Sequence, residues 1–102
     1  MSVKTLHKFG YARVSSKDQN LARQISALKE AGIDEKCIFI DRQSGKDFDR
    51  PGYRKLVKKI QEQDELYIKS IDRLGRNYSE ILEQWRFLTK VKKVHMVVLD
   101  FP

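Results

Sequence analysis

Four short strand-like runs, separated by segments with helical spacing, restrict this chain to a narrow set of folds. Residues 8–14 (KFGYARV) alternate and are rich in aromatic and β-branched side chains, which predicts a first strand. Leu21, Ile25 and Leu28 then recur on one helical face with Ala22 and Ala31 beside them, and Gly32 is placed to stop that helix. Ser16-Lys17-Asp18-Gln19 at its start reads as a capping box. Residues 37–41 predict a second strand, and the polar stretch 42–50 (RQSGKDFDR) a loop. Pro51 suits the first turn of a second helix, with Leu56, Val57 and Ile60 on its buried face. Residues 65–70 predict a third strand. Ile81, Trp85 and Leu88, with Leu82 alongside, predict a helix over 79–91. Residues 94–99 (VHMVVL) form a continuous apolar run, expected of a strand buried on both faces. The order β-α-β-α-β-α-β implies an α/β domain: a largely parallel central sheet with helices on both faces.

The length of 102 residues suits one domain, taken as 1–102. The chain stops at Asp100-Phe101-Pro102, directly after a core strand, as expected of a truncated chain or one part of a longer one. No apolar run approaches the roughly 18 residues of a membrane span, and the N-terminus lacks the pattern of a signal peptide. A cytoplasmic protein is the simplest expectation. Cys37 is the only cysteine, which excludes an intrachain disulfide and a multi-cysteine metal site; its apolar neighbours suggest a buried structural thiol. Lys and Arg number 21 against 14 Asp and Glu, a formal charge of +7, which favours a polyanionic partner.

Ligands of such sheets gather at the C-terminal ends of the strands. Arg13, Ser15, Ser16 and Gln19 follow the first strand; Asp41, Ser44, Asp49 and Arg50 the second; Ser70, Asp72, Arg73 and Arg76 the third. A serine and several arginines would thus meet at one edge. Guanidinium groups form bidentate hydrogen bonds to phosphate oxygens and stay charged. They can stabilise a transferring phosphoryl group as a metal ion would, so neither a metal nor another cofactor is called for. A serine hydroxyl needs activation. His7 and His95 lie in or beside strands, away from Ser15, which argues against a serine-histidine triad. Activation by the arginine field, by Asp72, or by a DNA oxygen remains open.

Gly10-Tyr11-Ala12-Arg13-Val14-Ser15 with Gln24 downstream, Asp49-Arg50-Pro51-Gly52, and Ile71-Asp72-Arg73-Leu74-Gly75-Arg76 appear in that order. Together they resemble the three motifs of the serine site-specific recombinases, the resolvase, invertase and integrase family, over nearly the whole chain. The resemblance implies a resolvase-like catalytic domain. In it Ser15 attacks a DNA phosphodiester, forms a 5′-phosphoserine bond and frees a 3′ hydroxyl, without metal or ATP. It implies that Arg13, Arg50 and Arg73 hold the phosphate and that Asp72 and Arg76 assist proton transfer or organise the other arginines. Tyr11 and Gln24 would support them. Members of that family continue into a dimerisation helix and a separate DNA-binding domain, and act as dimers that pair into tetramers on DNA. A bacterial, nucleoid-associated setting follows when the protein acts on DNA.

Other readings compete. Ser15 or Ser16 could be a helix cap; Asp72 and Arg73 could form a surface ion pair; Arg50 could merely flank a helix start and Arg76 sit on a solvated loop. Tyr11 and Gln24 could be core residues. The lysines at 55, 58, 59, 90, 92 and 93 could be solvated helix faces. A catalytically silent interaction or regulatory fragment, or a metal-dependent domain using Asp41 or Asp72, would be the corresponding alternatives.

Overall fold

The computed structural model describes residues 6–15, 21–43, 50–75 and 77–100, with Ser15 and Gln43 described in backbone only. Its four strands are β1 (Lys8–Ser15), β2 (Ile38–Gln43), β3 (Glu65–Ile68) and β4 (His95–Val98). They form one sheet of order β2-β1-β3-β4, parallel throughout. The helices are α1 (Leu21–Glu30), α2 (Pro51–Lys59) and α3 (Tyr78–Arg86).

Alternation along β1 divides the core in two. Phe9 and Tyr11 point to the face carrying α2, where they pack with Tyr53, Leu56, Ile60, Leu66, Ile68, Leu74 and Leu88. Trp85 of α3 packs against the same core while half-buried. Ala12 points to the other face and meets Leu28 of α1 and Ile33. Gly10 lies under α1: a Cβ there would stand 3.2 Å from a Leu28 methyl, so a small residue lets α1 lie close to the sheet. Helices thus cover both faces.

α1 ends by the mechanism its glycine predicts. Gly32 takes φ +96°; its N–H donates to Lys29 O at 3.0 Å, and that of Ile33 to Leu28 O at 3.1 Å. This pair of bonds closes the last carbonyls, and Ile33 packs back on Leu28. α3 begins on Asn77, whose side chain accepts from the Glu80 N–H at 3.0 Å and donates to the Glu80 carboxylate at 3.2 Å. Its helical path continues through a wider π-turn at Phe87–Val91, where Leu88 enters the core.

Several expectations need correction. Among the described residues β4 pairs with β3 alone, and Met96, Val97 and Val98 are half-buried rather than enclosed on both faces. Within α1 only Gln24 and Leu28 are buried; Leu21 and Ile25 are half-covered and Ala22 is exposed. Cys37 belongs to a 3-10 turn (Glu35–Cys37) rather than a strand, and sits half-buried between both cores. The proposed cap at residues 16–19 lies outside the described residues.

Candidate active site

The geometry is built on a short 3-10 helix, Ile71–Leu74, that follows β3. A helix leaves its last carbonyls without internal donors. Here arginines supply them. Arg13 Nη2 donates to Asp72 O at 2.9 Å and Gly75 O at 3.0 Å, and Arg13 Nε to Arg73 O at 3.2 Å. Arg50 Nη1 donates to Leu74 O at 2.7 Å. Carbonyls 72 to 75 therefore each accept from a guanidinium that starts on β1 or at the head of α2. In return, Arg73 Nη1 donates to Arg13 O at 3.0 Å. The Gln24 amide reaches the same oxygen at 3.4 Å.

Arg50 is no mere flanking residue. It is 7% exposed, and its guanidinium lies 4.2 Å from the centre of the Tyr53 ring, a cation-π contact in a desolvated setting. Arg73 stands 3.8 Å from the Asp72 carboxylate through Nε, too long for a hydrogen bond; that nitrogen is buried without an acceptor among the described residues. Asp72 itself is exposed and accepts from the Ser70 hydroxyl. As an ion pair the contact contributes little. Burial lowers the Arg13 pKa from its ordinary value; the nearby Arg50 and Arg73 charges lower it further, with Tyr11 and Asp72 opposing. Cations held together in this way favour an anion that relieves their repulsion.

Asp41 organises the head of α2. It is 3% exposed, although its neighbours Ile40 and Arg42 on β2 are exposed. Its carboxylate accepts from Gly52 N at 2.8 Å, Tyr53 N at 2.9 Å and the Tyr11 hydroxyl at 2.8 Å. Pro51 has no N–H to satisfy, so this one carboxylate, reaching across from the sheet, caps the open donors of the first turn. It is committed to that cap, which counts against its use as a metal ligand. Gly52 is required by the closeness of this contact: a Cβ there would lie 2.5 Å from Ile40 O and 3.0 Å from Asp41 Oδ1. Gly52→Ala should therefore cost about 2–3 kcal/mol through displaced backbone, read as a lower urea midpoint at unchanged slope.

A family model described as "Resolvase, N terminal domain" matches residues 8–102. The chain belongs to the resolvase N-terminal domain family. Among its relatives, the transposon Tn3 resolvase of Escherichia coli is 45% identical over 75 residues, 74% of this chain and 40% of that protein. The serine recombinase gin of Escherichia phage Mu is 42% identical over 73 residues, 72% of this chain and 37% of its own length. The DNA-invertase of Escherichia phage P1 is 41% identical over 73 residues, covering 72% and 38%. The chain spans about two-fifths of the length of these relatives.

In this resolvase domain, Arg13, Arg50, Asp72 and Arg73 come together at the C-terminal edge of the sheet, with the Tyr11 hydroxyl on Asp41 and the Gln24 amide on the Arg13 carbonyl. Tyr11 is wholly buried. Gln24 is 2% exposed, and its side-chain oxygen has no hydrogen-bond partner among the described residues. The Ser15 backbone closes β1 in register with Gln43, while its side chain lies outside the described residues. Ser16, Gln19, Ser44, Asp49 and Arg76 lie outside them too.

Tyr53 went unremarked in the sequence, yet it is buried, stacks edge-on against Tyr11 at 5.3 Å and hydrogen-bonds Gln84 of α3. Its spacing with Leu56 and Ile60, at i+3 and i+7, was the available signal. Burial raises the pKa of both tyrosines, with Asp41 adding to the effect at Tyr11 and Arg50 opposing at each. Tyr53 is pushed from 10.0 to about 12. Because the folded state favours the protonated phenols, their contribution is complete below pH 10.0 and is lost as pH climbs toward 12. Alkaline unfolding monitored by circular dichroism should begin in that window. Tyr53→Phe should flatten the decline.

Proposed function

We propose that this chain supplies the catalytic centre of a DNA recombinase that cuts and rejoins strands through Ser15. The convergence of Arg13, Arg50 and Arg73 on the strand end that carries the Ser15 backbone supports the reading most directly. The serine oxygen attacks phosphorus, the bond from phosphorus to the 3′ oxygen breaks, and the protein keeps the 5′ phosphate as a phosphoserine ester. The serine proton leaves to a base, and the departing 3′ oxygen takes one up. Arg13, Arg50 and Arg73 neutralise the charge that builds on the phosphate oxygens. Asp72, on the exposed rim, and Arg76 handle the proton or order the other arginines. The phosphoester bond is retained in the intermediate, so attack by a 3′ hydroxyl rejoins DNA without ATP.

The centre acts on DNA within a self-associating protein, as dimers that pair into tetramers, in the bacterial cytoplasm. The Tn3 relative is a transposon resolvase and the phage P1 relative a DNA-invertase; resolution or inversion of DNA segments is the corresponding class of outcome. The test joins residues 1–102 to the part of the Tn3 resolvase that lies beyond the matched segment and supplies that enzyme's DNA site. Cleavage with the protein on the 5′ end should proceed undiminished in EDTA. Cleavage that stops on chelation and returns with magnesium would contradict the arginine-based mechanism.

A further inference from the structure

α2 carries a charge pattern that the proposed chemistry does not use. Arg54, Lys55, Lys58 and Lys59 are all exposed, and the helix contains no acidic residue. The other two helices mix signs: α1 holds Arg23 and Lys29 with Glu30, and α3 holds Arg86 with Glu80 and Glu83. Several lysines elsewhere are neutralised by carboxylates, as in Lys29–Glu35 at 3.5 Å, Lys69–Asp100 at 3.8 Å and Lys93–Glu62 at 3.8 Å. Among the described residues, Lys55, Lys58 and Lys59 have no such partner.

Lys58 and Lys59 fall in the last turn, where they complement the helix dipole. Arg54 and Lys55 do not, so the dipole explains only half of the row. Helical spacing sets Arg50, Arg54 and Lys58 in one line (i, i+4, i+8), with Lys55 and Lys59 in a second beside it. The first line starts at the arginine that grips Leu74 in the candidate active site. From residue 54 to residue 59 the helix advances about 7.5 Å at 1.5 Å per residue. One DNA strand presents about three phosphates over that rise, at 3.4 Å each. The exposed cations thus face about three phosphates.

We propose that this face of α2 binds the phosphate backbone of duplex DNA flanking the phosphate held by Arg50. The inference rests on the reading of the chain as a DNA-cutting domain, and it adds a positioning surface outside the reacting groups. Contacts of this type set register and carry no base sequence. They make binding strongly salt-dependent, because each contact releases counterions condensed on the DNA and added salt opposes that release.

The test measures binding of the 102-residue chain to a short fluorescent duplex by anisotropy across a salt series. The triple variant Lys55→Gln, Lys58→Gln, Lys59→Gln should flatten the slope of log K against log salt by about 2.7, or ~0.9 per lost phosphate contact. A control with equal charge change, Lys36→Gln, Arg86→Gln, Lys90→Gln, should keep most of the wild-type slope. Equal losses in both variants would reduce the effect to net charge and overturn the proposal, as would an unchanged α2 variant or a wild-type chain without salt-dependent binding. Altered sedimentation of the α2 variant with unchanged DNA binding would instead assign the face to a protein partner, and also overturns it. Covalent attachment through Ser15 is read separately, as the protein–DNA adduct formed by residues 1–102 joined to the remaining part of the Tn3 resolvase. Loss of α2-dependent binding and loss of Ser15 chemistry are therefore separate failures.

Discussion

Replacing Asp41 by alanine should destabilise the fold by about 3–5 kcal/mol. The change strands three donors at once: the Gly52 and Tyr53 N–H groups and the Tyr11 hydroxyl. Each loses its partner inside the protein, where water cannot readily replace it. Domains of this size have stabilities near the low end of about 5–15 kcal/mol, so the variant should be largely unfolded at temperatures the wild type tolerates. Asp41→Asn keeps the shape but offers one acceptor oxygen and turns an amide toward a donor; a smaller loss of about 2–3 kcal/mol is expected. Urea denaturation followed by circular dichroism measures both. A loss under about 1 kcal/mol for Asp41→Ala would mean that the cap is not what fixes the head of α2.

The same contact shows what sequence could and could not reveal. The βα alternation was visible because burial on a strand or helix repeats with a period that composition displays. Gly32 and Pro51 announced a helix end and a helix start through backbone constraints of their own. Asp41 carries no such mark: it caps a helix that begins ten residues later, by way of the strand beside it. Read alone, it was one more acidic group at a strand end. Gly52 was legible as part of a motif, whereas its physical cause, the approach of Ile40 O, belongs to the packed sheet. The apolar run of β4 suggested enclosure on both faces, yet Met96, Val97 and Val98 are half-buried among the described residues, because hydropathy does not encode what packs on each face.

The arginines tell a similar story at the site. Their convergence followed from topology, since the ends of parallel strands share an edge. Their attachment to consecutive carbonyls of residues 72 to 75 did not. That attachment has a chemical consequence. Each guanidinium is held by backbone carbonyls, so a phosphate bound there would cost little side-chain freedom. Gln24, exposed to neither solvent nor a full set of partners, secures the Arg13 carbonyl from the opposite helix. Preorganised charge of this kind is what stabilises a transferring phosphoryl group without reorganisation during the step.

The remaining claim concerns the atom that attacks. An arginine cluster binds phosphate whether or not a nucleophile stands beside it, so loss of binding could not identify Ser15. Loss of the covalent bond can. Residues 1–102 joined to the remaining part of the Tn3 resolvase, with a nicked substrate that traps cleaved ends, should yield an adduct stable to denaturant and removed by protease. Mass spectrometry should place the 5′ phosphate on Ser15. Ser15→Ala should lower adduct formation by at least about 10⁴-fold, the order of loss when a nucleophile is removed, while DNA binding and the urea midpoint stay at wild-type values. An adduct that persists in Ser15→Ala, or one mapped to another residue of the wild-type protein, would contradict the account.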